Sequence, residues 1–305
     1  MIALILPWML LLLCLCLPFL LFKKKWLCSI ILLAVILLFN RYYQCFAIRG
    51  IINNQRSEGL KVLSWNVDSE PSSPIFMETM RRIGERILEV DADIVFLTEK
   101  YKADKDILYD MLREKYPYII GLNDSRGNMI LSKFNITSAT PISNGYEDYS
   151  WCVSVNYQND TLNICGCHLS SNNFYPDMTY FTPDEINTTG KIRDYLKNVH
   201  HAGELRVNEA KKICNYLNKT NIPAIVMGDM NDVCGSECMK VFDNFGFKDA
   251  WWMSGFGYGA TFNNPLPYRI DHILITNALK VNQIEIVKNC GFSDHNGIFA
   301  IISVN

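Results

Sequence analysis

The chain has 305 residues, of which 49% are hydrophobic and 20% are charged, enough for a membrane segment and one large domain. Residues 1–50 contain five of the 29 Lys and Arg side chains and none of the 31 Asp and Glu side chains, so residues 51–305 carry 24 basic and 31 acidic side chains. Because proteins that grip long nucleic acids non-specifically are usually basic, this balance argues against a plain DNA-degrading enzyme. The eleven cysteines match no zinc-binding spacing.

The N-terminal region predicts a membrane anchor of two helices. Residues 2–22 are almost wholly apolar and are long enough for a bilayer, which takes about 20 residues. Three lysines at 23–25 follow, and then a second apolar run at 26–39. A signal peptide would carry its charges before the apolar run, so a helical hairpin with its lysine turn in the cytoplasm is the better interpretation. This orientation places residues 51–305 on the extracytoplasmic side.

Strands and helices alternate after a short polar tether at 49–59. Strands are predicted at 60–67, 92–98, 118–121, 128–132, 151–157, 162–169, 222–227, 268–276, 281–287 and 297–304, and helices at 76–88, 104–116, 204–217 and 236–245. The strands outnumber the helices and come both singly and in hairpin-like pairs, which indicates an α/β class with two packed β-sheets flanked by helices. We therefore divide the chain into an anchor at 1–48, the tether, and one folded domain at 60–305.

Residues 170–203 break this alternation, because residues 170–191 are polar, aromatic and irregular, and a helix is predicted to follow them. A long non-repetitive loop beside the end of a strand is typical of a lid or a specificity element. A disordered surface insertion fits the same pattern equally well.

The stretch VMGDMNDV at 226–233 carries the strongest chemical pattern. An apolar strand ends at Gly228, and Asp229 and Asn231 follow two residues apart, so an extended backbone points both side chains the same way. The carboxylate can take a proton from water, and the carboxamide can hold an anionic oxygen through its N–H. An ordinary turn uses the same residue types, so the rest of the chain has to decide.

Polar side chains recur where apolar strands end. They are Asn66, Asp68, Glu99, His168, Asp229, Asn231, Asp271, Asp294 and His295. Sheets bring strand ends together at one edge, where clustered carboxylates repel each other unless a cation neutralises them. The available ligands are oxygens, which favour Mg²⁺ or Mn²⁺ over zinc. A divalent ion, a carboxylate able to activate water and two histidines compose a phosphoryl-transfer site.

Six motifs, in this order, resemble those of the endonuclease/exonuclease/phosphatase superfamily, which has the deoxyribonuclease-I-like fold. They are SWNVD (64–68), ADIVFLTE (92–99), CHL (167–169), GDMND (228–232), RIDHIL (269–274) and SDH (293–295). The resemblance covers roughly residues 60–304. It implies a four-layer α/β sandwich, in which the two sheets lie between outer layers of helices.

The resemblance also implies a metal site. Asn66 and Glu99 would hold the catalytic Mg²⁺ or Mn²⁺, with Asp68 and Asp294 close by. WNVD with Asp68 looks most like the abasic-site nucleases, whereas the anchor and the acidic balance point away from genome repair.

Carried over residue by residue, the resemblance implies in-line attack of water on phosphorus. Asp229 would deprotonate the water, and Asn231 and His168 would bind the phosphate oxygens. His295 would stabilise or protonate the phosphate in the transition state. Asp271 would hold His295, because a carboxylate fixes the tautomer of an imidazole and raises its pKa.

Other candidate residues allow two interpretations each. Arg206 begins a helix where family members often place a basic residue, so it is either a phosphate contact or a helix-surface arginine. Trp252 and Phe262 belong to an aromatic-rich loop that could contact substrate or lipid, and core packing explains such residues as well. His272 follows Asp271 on a strand and therefore points to the opposite face, which predicts a packed histidine.

The motifs determine the chemistry and not the leaving group. The sequence predicts a metal-dependent phosphoester hydrolase of the phosphodiesterase or nuclease type, whose substrate is nucleic acid, a nucleotide or a phospholipid head group. Alternatives are an inositol-phosphate phosphatase or sphingomyelinase-like enzyme, or a catalytically inactive domain that binds a phosphorylated ligand. The membrane is the other predicted partner, through the N-terminal helices, and no protein partner can be inferred.

Overall fold

The computed structural model describes residues 2–51, 58–67, 75–99, 104–122, 124, 127–143, 149–172, 189–263, 266–289, 291 and 293–305. The strands in these residues are β1 (Leu60–Asn66), β2 (Ile94–Thr98), β3 (Tyr118–Ile120), β4 (Met129–Ser132), β5 (Ile136–Ser143), β6 (Tyr149–Tyr157), β7 (Asp160–His168), β8 (Ala224–Asp229), β9 (Lys248–Asp249), β10 (Asp271–Ile275), β11 (Leu279–Val287) and β12 (Gly297–Val304). The helices are α1 (Ile2–Phe22), α2 (Trp26–Tyr43), α3 (Phe76–Val90), α4 (Asp104–Leu112), α5 (Thr189–Thr220), α6 (Glu237–Asn244) and α7 (Ala250–Ser254).

The strands form two six-stranded sheets, in the orders β11-β12-β1-β2-β4-β3 and β5-β6-β7-β8-β10-β9. The pairs β1–β2 and β7–β8 are parallel, and the other pairs are antiparallel. Apolar side chains of both sheets, such as Phe96 and Met227, form the core between them. The outer face of one sheet packs against α3 and α4, and that of the other against α5 and α6. The predicted four-layer sandwich is confirmed.

The central strands are buried on both faces, which explains why their sequences are continuous apolar runs. In β1, Val62 lies in the core between the sheets, while Leu63 packs towards α3 on the opposite face. The two sheets approach closely where the ring of Phe96 lies against Gly166 of β7, since a Cβ at residue 166 would clash with that ring.

Several elements differ from the sequence-based expectation. Strand β5 was not expected, because it is an edge strand with polar residues and Pro141, which an edge strand tolerates. The helix predicted after residue 191 is present, but it begins at Thr189 and continues as one helix to Thr220. Residues 173–188 of the segment predicted as irregular lie outside the described residues. The short helix α7 was also missed, although Asp249 marks its start by accepting hydrogen bonds from the backbone N–H groups of Trp251 and Trp252.

Helices α1 and α2 are each long and apolar enough to cross a membrane, by length and composition. Most of their residues are exposed on the protein, unlike those of a core helix in a soluble protein. The first turns of α1 and the end of α2 pack against the folded domain, and Ala47 pairs with Gly257 through two backbone hydrogen bonds. The hairpin therefore has one end on the domain, and the turn at 23–25 forms its other end.

Candidate active site

Six of the predicted site residues meet at one edge of the sandwich, where both sheets contribute strand ends. Asn66 ends β1, and Glu99 follows β2, its parallel neighbour. In the other sheet His168 ends β7 and lies in register with Asp229 at the end of β8. Two further residues complete the set, since Asp271 begins the antiparallel strand β10 opposite Asp229, and His295 precedes β12.

Asn66, Glu99, His168 and Asp229 form the first half of this cluster. The carboxamide Nδ2 of Asn66 donates to Asp229 Oδ2 at 3.2 Å. His168 Nε2 lies 3.1 Å from Glu99 Oε1, at ion-pair distance. One ligand atom from each of Glu99, His168 and Asp229 lies within 4.8 Å of the other two, which is close enough to share one ion.

His295 and Asp271 form the second half. His295 Nδ1 lies 2.8 Å from Asp271 Oδ2, and its other nitrogen, Nε2, lies 3.8 Å from Asp229 Oδ2. Asp271 thus orients the imidazole so that Nε2 points towards Asp229 and the space between the two halves of the cluster. The other carboxylate oxygen of Asp271, Oδ1, is buried and accepts no hydrogen bond from the described residues.

The backbone is unusual on both sides of this space. Glu99 has φ 57° and Asn231 has φ 50°, both in the left-handed region that non-glycine residues seldom occupy. Asn231 is held there because its N–H donates to Asp229 Oδ1 at 2.7 Å and its Nδ2 donates to the carbonyl of Leu169 at 2.9 Å. Gly228 has φ 148°, and a Cβ there would clash with the carbonyl of Cys167. Such conformations persist at sites where the surrounding structure enforces them.

Burial and mutual repulsion change the acidities of the cluster. Burial, helped by the nearby carboxylate of Asp271, raises the pKa of Asp229 to about 6. Burial alone would lower the pKa of His295, but the carboxylates of Asp271 and Asp229 raise it to about 10. At neutral pH the site therefore holds an ionised Asp229 with a pKa near the working pH, beside a charged imidazolium.

Glu99 and His168 change in opposite directions, as the two members of an ion pair do. Burial would raise the pKa of Glu99, but His168 holds it below its usual value. Burial would lower the pKa of His168, but Glu99 raises it. Each member of the pair thus favours the charged form of the other.

The donor set fits a hard divalent cation. Glu99 and Asp229 offer carboxylate oxygens and Asn66 a carboxamide at the same point, and Mg²⁺ or Mn²⁺ prefers such ligands. Asp294 lies at the rim, with Oδ1 4.0 Å from His295 Nε2 and two fifths of its side chain exposed. Asp68, the other predicted ligand, lies outside the described residues.

The structure brings only one of the three remaining candidates to the cluster. The ring of Phe262 lies 4.9 Å from the imidazole of His295, centroid to centroid. Trp252 lies on α7 and packs against the core between the sheets. Arg206 is not on the helix surface, because its buried guanidinium donates to Asp232 at 3.1 Å and to the carbonyl of Ser170 at 2.9 Å.

Positioning residues that the sequence did not single out surround His295. Its carbonyl accepts hydrogen bonds from Trp65 Nε1 at 3.1 Å and Asn289 Nδ2 at 2.9 Å. Ser293 ties this loop to β1, since its hydroxyl donates to the carbonyl of Asn66 at 2.8 Å and accepts from the N–H of His295 at 3.0 Å. Trp65 and Ser293 lie inside the motifs SWNVD and SDH, and this position in the sequence could have indicated that they support the site.

Comparisons with known proteins identify a family and support the fold. A model of the Endonuclease/Exonuclease/phosphatase family matches residues 63–295, whereas no curated protein matches the chain significantly. The structure is similar to D. rerio TDP2 complexed with a single-strand DNA product (TM-score 0.60, 16% identity, 81% of this chain and 100% of that one). It is also similar to a family member from Bacteroides thetaiotaomicron (0.60, 16%, 81% and 98%) and to beta toxin from Staphylococcus aureus (0.54, 17%, 79% and 99%).

At these identities the structural likeness establishes the fold, and the family model carries the assignment. Its match begins within β1 and ends at His295, so it contains the cluster at the edge of the sandwich. The chain belongs to the endonuclease/exonuclease/phosphatase family of phosphoester hydrolases.

Proposed function

We propose that the chain is a membrane-anchored, metal-dependent phosphoester hydrolase of the phosphodiesterase type, in which Asp229 activates the attacking water. The observation that carries this proposal is the arrangement around Asp229. Its carboxylate has a pKa of about 6, lies 3.8 Å from the Nε2 of His295, and shares a possible ion site with Glu99. A general base works best when its pKa lies near the operating pH.

Each side chain has a defined task in this proposal. Asp229 takes a proton from water as the water oxygen bonds to phosphorus, and the bond to the leaving oxygen breaks. His295, which is charged because its pKa is about 10, neutralises negative charge on the phosphoryl group or protonates the leaving oxygen. Asp271 holds the imidazole in place. His168 and Asn231 bind the phosphoryl oxygens.

Asn66 and Glu99 would hold Mg²⁺ or Mn²⁺, with Asp294 at the rim and Asp68 on the adjoining segment. When bound, the ion supplies positive charge that stabilises the phosphoryl oxygens.

The position of Arg206 favours a supporting task over substrate contact. Its guanidinium joins Asp232, which follows Asn231, to the segment after His168 through the Ser170 carbonyl. Arg206 would therefore fix the position of the segment after His168 relative to the segment that carries Asn231. For Phe262 we retain a substrate contact, because its ring borders His295.

We assign the anchor to residues 1–48, the tether to 49–59 and the catalytic domain to 60–305. Helices α1 and α2 would cross the membrane with the lysines at 23–25 in the cytoplasm, where positive charges are favoured. The catalytic domain would then lie on the extracytoplasmic side and act on nucleic acid, nucleotides or lipid head groups.

The test uses the full chain in detergent and bis-p-nitrophenyl phosphate, a small diffusible phosphodiester. We expect hydrolysis with Mg²⁺ or Mn²⁺ that EDTA abolishes. Asp229→Ala should lower the rate about 10²- to 10⁴-fold, as expected for loss of a general base. Asp160→Ala, which removes an exposed carboxylate at the opposite end of β7, should keep the wild-type rate. A metal-independent rate, or equal rates for the two variants, would refute the proposal.

A further inference from the structure

The N-terminal hairpin packs against domain residues that neighbour the catalytic groups in the sequence. Ala3, Leu6 and Leu10 of α1 form one buried apolar cluster with Val233 and Ile270 of the domain. These two domain residues are close to the catalytic groups along the chain, since Val233 follows the GDMND motif and Ile270 precedes Asp271. The first turns of α1 therefore contact the segments that carry Asp229 and Asp271.

A short series of contacts joins α1 to the catalytic histidine. The ring of Trp8 packs edge-on against Tyr268, with centroids 6.4 Å apart. Tyr268 and Phe262 exchange backbone hydrogen bonds of 2.9 and 2.8 Å. Phe262 in turn contacts His295 with its ring. Two residues of the domain, Tyr268 and Phe262, thus connect α1 to the imidazole of His295.

The length of α1 determines how deep this contact lies. Its 21 residues span about 31 Å at 1.5 Å per residue, close to the roughly 30 Å of bilayer hydrocarbon. The lysines at 23–25 fix one end at a membrane surface, because a lysine in the hydrocarbon costs about 3 kcal/mol. The other end then lies at the opposite surface. If residues 3–10 stood clear of the membrane with the domain, residues 11–22 would reach only about 18 Å and could not span it.

The domain surface around this contact is suited to a lipid boundary. Phe256 and Ile48 are 63% and 61% exposed, and the backbone pairing of Ala47 with Gly257 places them at the base of the hairpin. Leu266, 46% exposed, lies between Phe262 and Tyr268 in the segment that carries both contacts. Aromatic side chains of the hairpin, Trp8 and Tyr42, lie at this same end, where membrane proteins concentrate Trp and Tyr at the interface.

We infer that the substrate of this site is a phosphoester carried by a lipid of the same membrane. The inference rests on the proposed function and deepens it, because the hairpin holds His295 and Asp229 at the level of the lipid head groups, where such phosphates are found. Hydrolysis adds the oxygen of water to phosphorus and breaks one ester bond from phosphorus to oxygen. The leaving oxygen takes a proton, and no redox partner is required.

The experiment reconstitutes the full chain in vesicles of phosphatidylcholine, phosphatidylinositol and sphingomyelin with Mg²⁺. Cleavage of vesicle lipid is measured as phosphorus-containing product, beside bis-p-nitrophenyl phosphate and single-stranded DNA as soluble substrates. We expect vesicle lipid to be cleaved at least tenfold faster than the DNA. The double variant Phe256→Ser, Leu266→Ser should lose at least tenfold of the lipid rate and keep the rate on bis-p-nitrophenyl phosphate.

The matched control is Val304→Ser, an exposed apolar residue at the end of β12 remote from His295, and it should keep both rates. Cleavage of the small diester without cleavage of lipid would overturn this inference and leave the proposed function intact. Equal lipid rates for the double variant and the control would overturn it as well. Absence of turnover on every substrate would instead overturn the proposed function, and this inference with it.

Discussion

Strand β10 carries two charged clusters on its opposite faces, and they are built from similar residues. On one face Asp271 joins Asp229 and His295. On the other, His272 joins Asp249 and Cys234, as alternation along the strand requires. In both clusters one ligand atom per residue lies within 4.8 Å of the others, so geometry alone would allow an ion in either.

The two clusters differ because only the second contains a guanidinium among the described residues, that of Arg269. Arg269 donates to Asp249 at 2.6 Å and to Cys234 at 2.7 Å, so it occupies the place that a metal would take. Burial alone would raise the pKa of Asp249, but Arg269 and His272 hold it well below its usual range. Among the described residues, the cations paired with Glu99, Asp229 and Asp271 in the first cluster are histidines. We therefore assign a structural role to the cluster that contains Arg269, and we propose the ion site at the cluster around Asp229.

The largest expected effect comes from removing the carboxylate of the cluster formed by Cys234, Asp249, His272 and Arg269. Asp249→Asn leaves the buried guanidinium of Arg269 without its carboxylate, which should lower the free energy of unfolding by about 3–5 kcal/mol. Chemical denaturation of the full chain in detergent measures it. Asp243→Asn removes an exposed carboxylate paired with Lys248, so a loss of less than about 1 kcal/mol is expected. Equal losses in the two variants would show that the two clusters do not differ in this way.

The sequence predicted the catalytic cluster better than the structural one. Six catalytic candidates end or begin strands, and the convergence of strand ends at a sheet edge is a general property, so their meeting could be expected. The orientation of His272 towards the face opposite Asp271 followed from its position next to Asp271 on the strand. Its partner did not, because Asp249 is 23 residues away on a two-residue strand that no pattern marks.

The contacts of the N-terminal hairpin could not be predicted from the sequence for a similar reason. Trp8 meets Tyr268 across almost the whole chain, and no periodicity encodes which domain surface an apolar helix will contact. The sequence likewise suggested Arg206 as a surface or phosphate-binding residue. Its burial could not be predicted, because its partners Asp232 and Asn172 are brought together only by the fold.

Metal binding should distinguish the two clusters by a smaller change in the free energy of unfolding. At 100 times its dissociation constant, Mg²⁺ should raise the free energy of unfolding by about 2.7 kcal/mol. Glu99→Gln should lose most of this increment, because it removes a charged ligand. Asp249→Asn, although destabilised, should retain it. An equal response to Mg²⁺ in wild type and Glu99→Gln would place the ion elsewhere.

The smallest expected effect is a difference in pH dependence between Asp229 and Asp249, measured in EDTA. The pKa of Asp229 is about 6 in the folded protein, against an ordinary value of 3.8. The folded protein therefore binds this proton more tightly than the unfolded chain does. Protonation therefore favours folding, and this contribution is lost as the pH rises from about 4 to about 6. Between pH 5 and pH 7 the wild type should lose roughly 1 kcal/mol of unfolding free energy relative to Asp229→Asn.

The pKa of Asp249 is changed in the opposite direction, which makes Asp249→Asn the matched comparison. Its carboxylate is ionised in both the folded and the unfolded chain above about pH 5, since its folded pKa lies below its usual range. Its stabilising contribution is present throughout the interval from pH 5 to pH 7 and is lost only at lower pH. The difference between wild type and Asp249→Asn should therefore be flat across the interval in which the Asp229→Asn difference changes. Parallel curves would mean that Asp229 is not held near neutrality by burial beside Asp271.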